Sequence, residues 1–331
     1  MSGNLLRKVV QKEIKIIEQH RGGLGTMITK TNEKNRVLST IKCDSNDRIL
    51  FITEKGFGIV IAATDIPLLG KSSKKPFVIS NLLLPQNSQG DFSKVAVVTT
   101  ISNELIDSLQ LVVITEKGTI TKIEIRKIIK KRARLAKRIM RVDEDDKVVG
   151  TTFISGKGFL LITGDRGHVL SFPVSLIPVR SGLVSKGVKT MFFASKKTPR
   201  RSTKVTGIFF LPEDLVFNQE SQVLITSERG MAKLLRINSL KFVERRRGVG
   251  SKLSFSRTTD KIASVVGLAN LGQVIIFTKN GRVLKTDSKT IRKLISRTAK
   301  GVRCIRMVEN DQVISVLPVT RSGKNEKISE E

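Results

Sequence analysis

Five segments of the chain carry the same short sentence: RILFITEKG (48–56), QLVVITEKG (110–118), FLLITGDRG (159–167), SQVLITSERG (221–230) and GQVIIFTKNG (272–281). Each is an apolar run of strand character, then a threonine and polar residues, then a glycine. Alternation resumes afterwards, as in MAKLLRINSL (231–240) and RVLKTDSKTI (282–291). This is the pattern of a β-hairpin whose glycine supplies the positive φ of the turn. GNLLRKVV (3–10) matches the half after the turn and makes a sixth copy without its first strand. The turn glycines Gly3, Gly56, Gly118, Gly167, Gly230 and Gly281 then stand 49 to 63 residues apart.

The units also end alike, with a basic, often glycine-containing loop, a strand, a short acidic or polar turn and another apolar strand. Examples are AKRIMRVDEDDKVVG (136–150), GVGSKLSFSRTTDKIASVV (248–266) and AKGVRCIRMVENDQVISV (299–316). Four strands per repeat is the period of a propeller blade, whose sheet buries its faces only against neighbouring blades. The expected fold is therefore all-β, a six-bladed propeller-like ring of four-stranded blades with the first blade short of a strand. A single irregular β-sandwich would leave the recurring turn unexplained. Residues 1–320 are read as one domain, 70–92 as a loop bearing one short strand, 194–204 as a basic spacer, and 321–331 as a disordered polar tail.

The charge balance selects the partner class. The chain has 60 Lys and Arg against 29 Asp and Glu, a formal charge of +31, distributed along its 331 residues, and at 39% hydrophobic it is too apolar for a disordered basic arm. The loops between the two halves of successive units are all basic: QHRGGLG (19–25), LGKSSKKP (69–76), IKKRARLAKR (129–138), VRSGLVSKG (179–187), ERRRGVGSK (244–252) and SRTAKG (296–301). Equivalent positions in a ring put them on one rim. A belt of positive charge suits duplex DNA, because Lys and Arg contacts to phosphate release counterions and need no base edges. Glycines would let backbone N–H groups approach phosphate oxygens. The residues expected to meet the duplex are Gln19, His20, Arg21, Gly22, Gly23 and Gly25; Lys74 and Lys75; Lys131, Arg132, Arg134, Lys137 and Arg138; Arg180 and Lys186; Arg245, Arg246, Arg247 and Lys252; and Arg297 and Lys300. Single-strand readers stack bases on aromatic platforms. Here the only aromatic residues besides two histidines are phenylalanines, several in strand runs (Phe51, Phe159, Phe209, Phe210, Phe277), where core packing is the expected role. Bending 20–30 bp through 40–90° costs on the order of 1–6 kcal/mol, which about a dozen phosphate contacts could offset.

Catalytic chemistry is not assembled. No GxxxxGK[ST] loop occurs; GVGSKLS (248–254) has the wrong glycine spacing. His20 lies in a rim loop and His168 follows a turn glycine, where an ordinary exposed imidazole is expected. DEDD (143–146) occupies the place of VEND and SRTTD in other units and reads as a strand-connecting turn rather than a metal site. Cys43 and Cys304 are far apart, without a CxxC pair, and read as buried thiols in a reducing compartment. No segment approaches the roughly 20 apolar residues that span a bilayer, so the expected location is cytoplasmic. Neither a cofactor nor a metal is expected.

Six units with these loops make the chain resemble the C-terminal domain of the DNA gyrase A subunit, over residues 3 to 318. That family's signature box is Q-R-R-G-G-(K/R)-G, and Gln19, Arg21, Gly22, Gly23 and Gly25 keep it in register, while His20 and Leu24 depart from it. ERRRGVG (244–250), RTAKG (297–301) and VSKG (184–187) match degenerate copies. The resemblance implies a β-pinwheel that binds, bends and wraps duplex DNA on its rim in a type IIA topoisomerase associated with the nucleoid. Its implied partners are the ATPase B subunit of that enzyme and the cleavage domain of its A subunit. The two box departures weigh against efficient negative supercoiling. They keep open the related C-terminal domain of the topoisomerase IV A subunit, presenting DNA for decatenation or relaxation. The family cleaves DNA through a tyrosine, and this chain contains none, so the sequence reads as a non-catalytic wrapping domain, a fragment or a stand-alone version. A more remote alternative is a protein-interaction propeller, for which a charge nearer neutral and apolar surface patches would be expected.

Overall fold

The computed structural model describes residues 5–6, 16, 18–29, 31, 36–67, 77–78, 94–129, 136–180, 182, 184–191, 193, 197–198, 201–253, 255 and 260–319. The recurring sentence folds five times into an antiparallel hairpin: Arg48–Thr53 with Phe57–Ala62, Gln110–Thr115 with Thr119–Glu124, Gly158–Gly164 with His168–Pro173, Gln222–Ser227 with Met231–Arg236, and Gln273–Thr278 with Arg282–Asp287. We number the blades one to five in that order. On one side each hairpin pairs with a longer strand: Val95–Ile101, Val148–Ile154, Val205–Pro212, Ile262–Leu268 and Val313–Pro318 respectively. These five strands pack against one another in series, so they form the inside of the ring and the opposite sheet edges form its rim.

The rim strands show how the blades interlock. Each is only two residues long and is reached after the next blade's hairpin has been made: Lys137–Arg138 for blade one, Val188–Lys189 for two, Ser251–Lys252 for three and Val302–Arg303 for four. The fifth blade takes its rim strand, Thr26–Met27, from the N-terminal unit. Blades one to four are thus each completed by a strand that follows the next blade's hairpin, and the fifth by the N-terminal unit.

The expected six blades are corrected to five, four of them four-stranded and blade four five-stranded, with Lys293–Leu294 as its extra strand. Besides the rim strand it lends to blade five, the sixth unit has among the described residues one two-residue pairing, Leu5–Leu6 with Phe77–Val78. This is the same swap in miniature, since Phe77–Val78 stands after blade one's hairpin.

The core lies between blades. Leu50 and Ile52 of blade one pack with Leu111, Val113 and Ile123 of blade two, while Val112, Ile114 and Ile120 face Leu160 and Ile162 of blade three. Successive residues of one strand point to opposite neighbours, which is why the hairpin strands are almost continuously apolar. Each such buried side chain contributes roughly 1.5–3 kcal/mol. Blade one's other face, Ile49, Phe51, Ile59 and Ile61, is covered by Ile41 and Cys43 of the first unit, the thiol being half-buried rather than fully enclosed.

The turns are tied by repeated hydrogen bonds. The threonine of the sentence caps its own hairpin: Thr53, Thr115 and Thr278 hydroxyls accept from Phe57, Thr119 and Arg282 N–H at 3.1 Å. Gly281 illustrates the glycine requirement, with φ +80° and a Cβ that would lie 2.5 Å from the Thr29 carbonyl oxygen. The acidic clusters read as turns hold buried carboxylates: Asp146, Asp260 and Asp311 accept from the hairpin-turn N–H groups of Lys117, Arg229 and Asn280 at 2.8–3.1 Å. Blade three replaces this Asp with Ser202, whose side chain occupies the space left by the missing Cβ of Gly164.

Candidate nucleic-acid interface

Rim loops are pinned at both ends to the second hairpin strand of the blade they complete. At the start, Gln19 N–H donates to Lys285 O (2.9 Å), Arg180 N–H to Lys122 O (3.0 Å) and Val243 N–H to Ser171 O (2.9 Å), each beside a parallel bridge. In blade four the start is the parallel pair Lys293–Leu294 with Leu234–Leu235. At the end comes the rim strand, after which Ile28, Ile139, Thr190, Leu253 and Cys304 donate to the turn-glycine carbonyls of Gly281, Gly56, Gly118, Gly167 and Gly230 at 2.8–3.0 Å. Loops 19–25, 180–187, 243–250 and 295–301 therefore sit at equivalent places around the ring.

The loops also connect laterally. Arg141 N–H donates to Ser185 O (3.0 Å), Gly248 N–H to Thr190 O (3.3 Å), and Gly22 N–H to Cys304 O (2.5 Å), with Arg306 N–H returning to Gly23 O (2.9 Å). Between blades three and four the link is Lys233 Nζ lying 4.6 Å from the centre of the Phe255 ring. The five rim edges form one track.

Gly25 has a requirement within the chain itself. Gly25 has φ +72°, and a Cβ there would stand 2.9 Å from the Val283 carbonyl oxygen, so only glycine lets the loop descend onto its hairpin. Gln19 turns inward as well: its Oε1 accepts from Gly25 N–H at 3.2 Å and its Nε2 donates to Thr26 Oγ1 at 3.5 Å.

Positive side chains fall in register on this frame. The second residue of each rim strand is Arg138, Lys189, Lys252 or Arg303 in blades one to four, with Met27 in blade five. The residue before the turn glycine is Lys55, Lys117, Arg166 or Arg229 in the same blades, with Asn280 in the fifth. Lys189 Nζ reaches Lys117 O at 3.4 Å and Lys252 Nζ reaches Arg166 O at 2.5 Å, so the two series adjoin. Lys189 and Arg303 are not among the contact residues that the sequence points to. Their signal is a basic residue two places after the loop glycine, in GVK and GVR.

Several expected contact residues brace the rim instead of standing free on it. Arg246 Nε donates to Lys189 O and its Nη1 to Leu176 O, both at 3.3 Å, tying one loop to the previous blade. Lys137 Nζ donates to Ile128 O at 2.9 Å, and burial lowers its pKa as it does those of Lys252 and the buried Lys122. Lys233 is the extreme case: fully buried, it donates to Arg297 O (2.6 Å) and Ala299 O (3.4 Å), and desolvation lowers its pKa to about 8. Arg297 is half-buried, its Nη1 buried without an acceptor among the described residues. Arg180 is half-buried too. His20, Arg21, Lys186, Arg245, Arg247 and Lys300 are exposed, and Lys186 lines a shallow depression with Arg180 and Val184. Lys74, Lys75, Lys131, Arg132 and Arg134, and the tail at 321–331, lie outside the described residues.

His168 is half-buried rather than exposed: its Nδ1 is 3.1 Å from Ser202 Oγ, and burial lowers its pKa. Burial pushes the Cys304 thiol up to about 12. Among the described residues no group of three His, Cys, Asp or Glu side chains converges on a metal position, and no helix is long and apolar enough to cross a membrane.

Comparison with known proteins agrees with this architecture. The family model for the DNA gyrase C-terminal domain, beta-propeller, matches residues 15–44, 47–74, 110–155, 221–270 and 272–320. The chain is 25% identical over 304 residues to the DNA gyrase A subunit of Kosmotoga olearia, covering 91% of this chain and 35% of that protein. It is also 25% identical over 316 residues to the DNA gyrase A subunit of Staphylococcus aureus, covering 95% and 33%. It therefore spans about a third of the length of these relatives. Among solved structures, a DNA gyrase A C-terminal domain superposes with a TM-score of 0.76 at 17% identity, covering 95% of this chain and 96% of that one. A topoisomerase IV C-terminal domain gives 0.62 at 17% identity, covering 87% and 83%. With its family model matching more than half of its residues, this chain belongs to the DNA gyrase C-terminal domain, beta-propeller family.

Proposed function

We propose that this chain binds duplex DNA without sequence preference, bends it along the basic rim, and does so as the C-terminal domain of the A subunit of a gyrase-like type IIA topoisomerase. The observation that carries the reading is the register of Arg138, Lys189, Lys252 and Arg303 on laterally linked rim strands. Cations repeated along a curved edge meet successive phosphates of a rod that follows that edge. The exposed residues Arg21, Lys186, Arg245, Arg247 and Lys300 extend the same field. Braced residues such as Gln19 and Arg246 act by holding the loops in place. In this reading the domain contributes no bond-breaking chemistry, and control of supercoiling arises when a cleavage domain and an ATPase partner work on the DNA it presents, in the cytoplasm at the nucleoid.

The test is ligation of relaxed nicked circles in the presence of the protein, together with the salt dependence of binding. The expected results are a linking-number shift that grows with protein and an affinity falling steeply between roughly 50 and 200 mM salt. Salt-dependent binding without any linking-number shift would rule out wrapping.

A further inference from the structure

Charge alone tells a protein nothing about the sugar of a nucleic acid, because DNA and RNA carry the same phosphates. The rim holds a second kind of side chain. Of the eight large apolar residues exposed among the described residues, five lie in rim loops or rim strands: Leu24, Met27, Val179, Val184 and Ile295. Ile295 is 97% exposed, in the loop that completes blade four, beside exposed Arg292 and Lys293.

That loop is held rather than slack. Leu294, the residue before, pairs with Leu235. Ala299 N–H donates to Ser296 O at 3.2 Å, and the buried Lys233 ammonium grips the Arg297 and Ala299 carbonyls from below. A braced loop that displays a bare branched hydrocarbon among cations is poorly made for phosphate contact and well made for an apolar ledge between phosphates. On a duplex that ledge is the deoxyribose edge, whose C2′ methylene becomes a hydroxyl-bearing carbon in RNA. We propose that Ile295, with Leu24 on the neighbouring blade, packs against deoxyribose and makes the rim select DNA over ribose-containing duplexes. The inference rests on the DNA-binding reading above.

The experiment measures anisotropy of the full chain on three duplexes of about 30 bp and one sequence: DNA, DNA with ribonucleotides scattered through both strands, and DNA with uracil in place of thymine. Wild type is expected to lose affinity on the ribonucleotide-bearing duplex and to keep it on uracil DNA. In Ile295→Asn the DNA-to-ribonucleotide ratio should narrow by about fourfold, the factor that burial of one methylene supplies, and further in Leu24→Asn/Ile295→Asn. The salt slope should be unchanged, and Ile295→Val should behave as wild type. An unaltered ratio in the asparagine variants overturns the sugar contact while leaving DNA binding intact. A loss on uracil DNA equal to the ribonucleotide loss overturns it in favour of the thymine methyl. Absence of salt-dependent binding by wild type would instead remove the functional reading itself.

Discussion

The backbone N–H of Val37 donates to the carbonyl oxygen of Lys279 at 2.9 Å, joining the first repeat unit to the last. The bond repeats an internal register: Val148 donates to Glu54 O, Val205 to Glu116 O and Val313 to Glu228 O, each at 2.9 Å. Arg36 Nη1 reaches Asn310 O (3.3 Å) on one side, and Lys42 O accepts from Thr100 Oγ1 (2.8 Å) on the other. The described part of the first unit thus reaches from blade five to blade one. Val37→Pro removes the donor and should lower the unfolding free energy by about 1–2 kcal/mol, with faster amide exchange concentrated around Asn280 and Ile28. Unchanged protection there would mean the closure is made by other contacts.

Gly25 and Gly182 both lie in rim loops, yet they should differ in their response to the same change. Gly25→Ala places a Cβ 2.9 Å from Val283 O on a backbone at φ +72°, whereas Gly182 has open space around its missing Cβ and no positive φ. Gly25→Ala should destabilise by about 1–3 kcal/mol, and Gly182→Ala by less than about 0.5 kcal/mol. Denaturant midpoints at equal m-value decide it.

What can be read from residues alone follows from what repeats on a scale that periodicity detects. The turn glycines and six-residue apolar runs announce hairpins, and burial between blades follows from their lack of a polar face. The strand exchange is not legible, because a rim strand such as Val188–Lys189 is two residues long and shows no alternation. For the same reason the loops read as lying between halves of their own units, when each completes the blade before. Charge type is readable, but side-chain direction is not. Arg246 and Arg247 are neighbours in one basic run, yet Arg246 is bonded to backbone carbonyls of the previous blade while Arg247 is exposed. The acidic clusters read as turns, but the buried role of Asp146, Asp260 and Asp311 is not legible, because their hydrogen-bond partners lie 29 to 31 residues away.

Lys233 makes stability depend on alkaline pH. Burial lowers its pKa from the ordinary 10.5 to about 8, so between those values the unfolded chain holds a proton that the folded chain has released. Stability from this group therefore rises as pH increases from about 8 to 10.5, by at most about 3 kcal/mol. Lys233→Met fills similar volume without a titrating group and should abolish that rise. It also leaves the Arg297 and Ala299 carbonyls without their ammonium donor, so exchange in loop 295–301 should quicken. Urea denaturation of both proteins at about pH 7.5, 9 and 10.5 measures the difference; parallel curves would show that Lys233 is not the source.

Lys189 and Arg303 occupy the same rim-strand position in blades two and four, both exposed, and in the proposed function they meet DNA phosphates. Each contact of this kind contributes about 0.9 to the slope of log affinity against log salt. Lys189→Ala and Arg303→Ala should each flatten that slope by about one, weaken all DNA sequences alike, and leave the melting temperature unchanged, while the double variant flattens it by about two. Arg246→Ala should behave differently: its guanidinium is spent on the Lys189 and Leu176 carbonyls, so its loss should lower stability and displace loop 243–250 before it changes the count of phosphates met. Titrations at roughly 50, 100 and 200 mM salt beside thermal melts separate the two roles. If Arg246→Ala flattens the slope with no change in melting while Lys189→Ala and Arg303→Ala leave it steep, the DNA path does not follow the rim strands.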